Sequence, residues 1–166
     1  MQLLARRAVE TVTLCLDRDE PGRRATERVV AAASQADESP RILAVDPEGL
    51  APANDPDELV RTEGVEALRT AIATRQCAFV WRALELLEDV QPDANLERRK
   101  QALARAGEWL GTLPPRLALE QEDALAAVAK RCGYSVEAVQ RRFRTRYWRA
   151  SAEPAMTRAP EAAREL

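Results

Sequence analysis

The spacing of apolar and polar residues changes character near Thr74. Before it, short aliphatic and β-branched runs alternate with helix-spaced segments; beyond it only helical spacing recurs. Val9–Leu16 is short, rich in β-branched residues and followed by acids, which predicts a buried strand. Pro21 suits the first turn of a helix, where no N–H is needed, and Ala25, Val29, Val30 and Ala33 continue that helix over 21–36. Asp37–Pro40 reads as a turn and Arg41–Val45 as a second short apolar strand. A connection of this length allows parallel pairing, which makes the segment a βαβ unit.

Pro47, Gly49, Pro52 and Pro56 make Asp46–Pro56 a loop. Asp57 is suited to cap the next helix, whose apolar face is Leu59, Val60, Leu68, Ala71 and Ile72, with Gly64 interrupting it. Helices are then predicted over 76–89, 94–111, 119–131 and 135–148, and no further strand is expected. Gly111 and Pro114-Pro115 separate the second of these from the third, Gly133 suits a C-cap, and Ser135 starts the last. Ser151–Leu166 has no periodic face and is expected to be a frayed tail. The fold class is α/β: a short parallel sheet in a βαβ unit, then an all-α region.

Composition changes this picture little. The 166 residues are 46% hydrophobic and 31% charged, as in an ordinary folded protein, and the 4% aromatic share favours an aliphatic core over a β-sandwich. The net charge of −2 hides an uneven distribution. Acids crowd Asp37–Glu66 against Arg41 and Arg61 alone, and bases crowd Lys130–Arg149 against Glu137 alone. An acidic middle suits divalent cations and a basic end suits phosphates; both also suit solvated faces. With no histidine and three scattered cysteines, zinc sites of the CxxC or Cys/His kind are excluded within the chain. Cys15 reads as a small buried hydrophobe, and the scattered cysteines fit a reducing cytoplasm. No secretion signal is read at Met1–Val9, and no uncharged apolar run reaches the roughly 18 residues a membrane span needs.

Asp17-Arg-Asp-Glu-Pro-Gly22 carries the most chemistry. Side chains alternate along a strand, so Asp17 and Asp19 share a side at the carboxyl end of the first strand, where parallel α/β sheets bind ligands. Two carboxylates held there repel unless a cation lies between them, and Mg2+ takes a few hard oxygens at such spacing. Gly22 would let the following turn lie close to a phosphate. Asp55-Pro-Asp57 follows the second strand, so its loop is expected beside the first pair, and four acids around one crevice suit metal-assisted phosphoryl chemistry. The same spacing also describes a helix N-cap with a solvated neighbour.

Leu14–Ala25 resembles the DxDxxG segment of Toprim domains in the form used by bacterial and phage primases. Asp55-Pro-Asp-Glu-Leu-Val60, followed by Glu63-Gly64 and Ala67-Leu68, resembles the DPDxLV…EG…AF segment that comes next in bacterial primases. Leu96–Leu113 and Ala126–Arg142 are similar, more weakly, to the helices that close the primase polymerase core, so that the likeness covers roughly residues 3–148. The resemblance implies a partial Toprim βαβ domain over 1–75, a helical subdomain over 76–150 and a tail over 151–166. It implies that Asp17, Asp19, Asp55 and Asp57 are metal ligands for Mg2+ or Mn2+. The implied activity is nucleotidyl transfer in RNA primer synthesis during DNA replication, from nucleoside triphosphates on single-stranded DNA.

Departures qualify the activity. The family also uses a glutamate on an earlier strand, in an EGYxD-like segment, and the 16 residues ahead of Asp17 hold no such segment. The zinc module and template-gripping subdomain are missing as well. Arg18 stands where the family commonly has glycine, Pro21 where it commonly has alanine, and the Gly49–Asp55 loop is longer. The expectation is a truncated primase-like chain, incomplete as an enzyme on its own: a remnant, the second half of a split gene, or a product that works only with a protein supplying the first half. A different class is a helix–turn–helix DNA-binding or regulatory module. Ala126–Val139 has that rhythm, and Arg141, Arg142, Arg144 and Arg146, interleaved with Tyr147 and Trp148, suit phosphates and bases. The same pattern also describes a helical hairpin packed on the core, its arginines reaching solvent.

Overall fold

The computed structural model describes residues 7–90 and 94–146. The tail predicted over 151–166, Tyr147 and Trp148 lie outside them, as does the side chain of Arg146. Strand β1 (Thr11–Leu14) leads into helix α1 (Glu20–Gln35) and returns as β2 (Arg41–Ala44). β1 and β2 pair in parallel, with Thr11 opposite Arg41 and Leu14 opposite Ala44, as the βαβ reading requires. A 3-10 turn (Pro47–Leu50) precedes helices α2 (Pro56–Glu63) and α3 (Val65–Ala73). Then come β3 (Gln76–Cys77) and helices α4 (Ala78–Glu85), α5 (Leu96–Leu110), α6 (Ala118–Cys132) and α7 (Val136–Arg146).

Three local readings are corrected. A strand does return after Thr74: β3 pairs antiparallel with β2, Cys77 opposite Leu43. Two residues are too few to show a period, so only the partner strand makes them a strand. The cap of α2 is Asp55, not Asp57, because Pro56 occupies the first helical position and leaves the residue before it as the cap. Asp57 lies exposed in the first turn. Gly64 does more than interrupt: at φ +86° it ends α2 and begins α3, a backbone conformation open to glycine.

Period-2 alternation in β2 sorts the core. Ile42 and Ala44 point into a large cluster with Val30 and Ala33 of α1, Phe79 and Trp81 of α4, and Leu125, Val128 and Phe143 of α6 and α7. Val45 belongs instead to a smaller cluster with Leu50, Ala53, Leu59 and Ala71, against which Cys15 packs. The sheet therefore has α1, α4 and α6 on one side and α2 and α3 with the acidic loop on the other. One continuous core runs across residue 75. Phe79 and Trp109 stack with ring centroids 6.5 Å apart, joining α4 to α5.

Polar side chains lock α1 to the helical half. Arg23 donates to Glu85 at 2.7 Å and also pairs with Glu88, while Arg82 pairs with Glu27. Arg116 donates to the carbonyls of Ala33 (3.1 Å) and Ser34 (2.8 Å), supplying a cation to a helix end whose last turn has none of its own. The two glutamates respond oppositely to Arg23. The hydrogen bond from Arg23 holds the Glu88 carboxyl below its ordinary value of 4.5. At Glu85, burial outweighs the same guanidinium and pushes the carboxyl up.

For Glu88, with the lower folded value, the stabilisation is full above the ordinary value of 4.5 and is lost as pH falls through the folded one. Glu85 runs the other way: its contribution is present below the ordinary value and is lost as pH rises through its raised one. Glu88→Gln is therefore expected to cost about 0.5 kcal/mol near neutral pH, as befits a largely exposed partner, and less in acid well below 4.5. Urea denaturation at the two pH values checks this; a cost that persists undiminished in acid rules out the charge as its origin.

Candidate functional site: two acidic loops at the strand ends

Beyond Leu14 the chain leaves the sheet and enters α1 through Asp17, Arg18 and Asp19. The Asp19 Oδ1 atom accepts from the Gly22 amide at 2.7 Å, capping α1, while Asp17 is exposed. Across from it, Asp46 caps the 3-10 turn by accepting from the Glu48 amide at 3.0 Å. Asp55 Oδ1 accepts from the Glu58 amide at 2.6 Å, and Glu58 reaches back to the Asn54 amide at 2.7 Å. This is a capping box displaced by one residue, and it clamps the loop to the start of α2.

The two loops meet. The Arg18 amide donates to the Asn54 carbonyl at 2.6 Å, one residue from Asp17 and Asp19 on one loop and one from Asp55 on the other. The Arg18 guanidinium extends to Glu48, with Nη2–Oε2 at 2.9 Å and Nε–Oε1 at 3.4 Å. The neighbouring bond from the Val45 amide to the Leu14 carbonyl, 2.9 Å, continues the parallel ladder to the edge of the site.

Gly22 has a different use from the one its sequence context suggested. A Cβ there would stand 2.1 Å from the Asp17 carbonyl oxygen and 2.9 Å from its carbon. The space a side chain would fill is taken by Asp17's own main chain.

As donors for a divalent ion, the residues fit in chemistry. Asp17 and Asp57 present exposed carboxylates, and Asp19 and Asp55 each keep a second oxygen beside the one spent on capping. Among the described residues, however, no three acids gather around one point. The four acids expected around one crevice therefore do not form one ready-made site, and a divalent ion would need waters or ligand phosphates beside one or two of them. Both Cys15 and Cys132 have thiols pushed up by burial, so neither is a reactive thiolate, and all three cysteines are free.

The basic end sits elsewhere. Gly133, in the left-handed region at φ +69°, closes α6 as expected, and Val139 and Phe143 bury one face of α7 in the main core. Arg141 and Arg144 are exposed and Arg142 is half-buried. The hairpin thus packs as a core element while holding Arg141 and Arg144 at the surface. Arg99 of α5 braces it, stacking on Tyr134 at 5.5 Å and donating to the Cys132 carbonyl.

Sequence reasoning passed over Glu48, Asn54 and Glu58. The Asp55-x-x-Glu58 spacing carried a legible capping signal. The pairing of Arg18 with Glu48 carried none, since thirty positions separate them.

Comparison with known proteins agrees with the paired loops on a βαβ unit. Residues 1–60 match the Toprim-like family model. The fold resembles the crystal structure of a DNA primase domain from Pseudomonas aeruginosa, with 27% identity and a TM-score of 0.53, covering 81% of this chain. The chain is thus similar to Toprim-like proteins over its first 60 residues and, over most of its length, to that primase domain. The chain spans 41% of the length of that primase domain. No curated protein matches the sequence. Among the described residues, no helix is long and apolar enough to cross a membrane.

Proposed function

We propose that this chain forms part of a metal-dependent nucleotidyl-transfer centre of the primase kind, serving primer synthesis in the cytoplasm. The observation that carries the reading is the 2.6 Å bond from the Arg18 amide to the Asn54 carbonyl. It ties two acidic loops side by side at the carboxyl end of a parallel strand pair, the usual ligand position in α/β sheets. One or two of Asp17, Asp19, Asp55 and Asp57 would hold Mg2+ or Mn2+ together with waters and ligand phosphates, and the ion would neutralise oxygens of a nucleoside triphosphate and its departing pyrophosphate. The chain's own residues bind and orient: the capping bonds of Asp19 and Asp55 fix two of the carboxylates against helix starts.

Mn2+ is expected to raise the melting temperature of the chain, and Asp17→Asn with Asp19→Asn to abolish the rise. Asparagine keeps the capping acceptor at position 19, so the double variant should stay folded. At a metal concentration about a hundred times Kd the gain is about 2.7 kcal/mol, roughly 5–10 °C for a domain of this size. Differential scanning calorimetry reads it, and an unchanged melting temperature in the parent protein removes the metal from the proposal.

A second reading, nucleic-acid binding by α7 without catalysis, is favoured by the exposure of Arg141 and Arg144 on a helix whose other face is buried. Single-stranded DNA is the expected ligand, with Arg142 and Arg146 as further candidate contacts. Arg141→Ala with Arg144→Ala should weaken binding and flatten the plot of log affinity against log salt by roughly 1–1.5, as for two lost phosphate contacts. Equal slopes for parent and variant would leave α7 a packing helix.

A further inference from the structure

We infer that Arg18 is a resident counter-cation of the acidic loops: it ties them together in the absence of metal and opposes the entry of a divalent ion. The inference rests on the metal reading above and adds what regulates that site. Arg18 touches both ends of the loop that follows β2. Its amide bonds the Asn54 carbonyl at 2.6 Å, next to Asp55, and its guanidinium bonds Glu48 through two nitrogens at 2.9 and 3.4 Å. It is also flanked in sequence by Asp17 and Asp19. One residue thus straps three acid-bearing segments.

The strap is electrostatic as well as mechanical. The Arg18 side chain is 31% exposed, enough shielding from water for its charge to act on neighbouring groups, while Glu48 remains 73% exposed. Among the described residues the guanidinium pairs with Glu48 and with none of the four aspartates. Its charge is thus paired with an exposed carboxylate on the loop after β2, while its main chain stands between Asp17 and Asp19 and bonds next to Asp55. A divalent ion arriving there meets a like charge one residue from two of its ligands. The loops meanwhile have less need of an ion, because a cation already offsets their charge and a main-chain bond already sets their spacing. A glycine in this position, as is common in the resembling family, would supply neither the charge nor the side-chain bond.

Removing the charge while keeping much of the side chain tests this. Arg18→Gln should bind Mn2+ on the order of ten-fold more tightly than the parent at low ionic strength, an advantage that shrinks as salt is added. Arg18→Lys, which keeps the charge, should bind like the parent. Without metal, Arg18→Gln should melt lower than the parent, and saturating Mn2+ should narrow the gap. Mn2+ alone is the probe, followed by isothermal titration and electron paramagnetic resonance on the full chain, with metal-free melting curves establishing that each variant folds. Equal or weaker Mn2+ affinity in Arg18→Gln overturns the inference and leaves the metal reading standing. Absence of Mn2+ binding in the parent and in both variants overturns the two together.

Discussion

Gly22→Ala is expected to destabilise the protein by about 3 kcal/mol, near the upper end for inserting one methyl into a packed region. The reason is what the methyl meets. Its position lies 2.1 Å from the Asp17 carbonyl oxygen and 3.1 Å from the Asp17 nitrogen, and both are main-chain atoms that cannot rotate aside. Either the first turn of α1 lifts from the strand or Asp17 is driven outward. Both movements strain the bond from the Gly22 amide to Asp19 and shift the acidic loops relative to one another. The melting temperature should fall by roughly 10 °C, and any Mn2+-induced rise should be lost with it. Gly49→Ala is the control, because a Cβ there meets only Thr74 Oγ1 at 3.7 Å and Ala71 Cβ at 3.9 Å, ordinary contacts. Stabilities of the two variants within about 1 kcal/mol of each other would contradict the steric account.

The second large effect is at Phe143. It is 0% exposed and the largest of the fully buried side chains among the described residues, in the same cluster as Leu125, Val128 and Val139. Phe143→Ala should cost about 3–5 kcal/mol, the loss of buried apolar surface plus the cavity left behind. Phe143→Leu keeps much of the volume and should cost far less, about 1 kcal/mol. The consequence for function is indirect. Val139 and Phe143 stand four residues apart on the face that seats α7, so loosening that face frees the helix bearing Arg141 and Arg144. Urea denaturation measures the cost, and hydrogen exchange at α7 locates it. A Phe143→Ala protein as stable as the parent would mean that α7 is not anchored as described.

These two residues differ in how openly the sequence announced them. Phe143 falls within a predicted helix, four residues from Val139, and the period of 3.6 places both on one face. Gly22 was noticed for its missing side chain, but the Asp17 main chain that takes up that space was not foreseen. Close approach between a helix start and the strand end before it is a matter of three-dimensional packing, and five intervening positions say nothing of the distance. The case of Asp55 and Asp57 is different. Both are good capping residues by type, and Pro56 between them decides the matter in favour of Asp55. That signal was local and legible.

What the sequence determined by itself was what short-range physics controls. β-branched runs between turn residues marked β1 and β2, apolar spacing marked the helices, and a crossover of helix length allowed the strands to pair in parallel. Acids placed after each strand end marked the candidate site. Only the tertiary structure decided what those acids do: that Asp19 and Asp55 each spend one oxygen on a helix start, and that Arg18 joins the two loops through Asn54 and Glu48. It alone also revealed the lattice of Arg23, Glu85 and Glu88 that fastens α1 to the helical half. The physical reason is common to all of these. Period and propensity act over a few residues, whereas a hydrogen bond or ion pair depends on distances that only the folded chain creates.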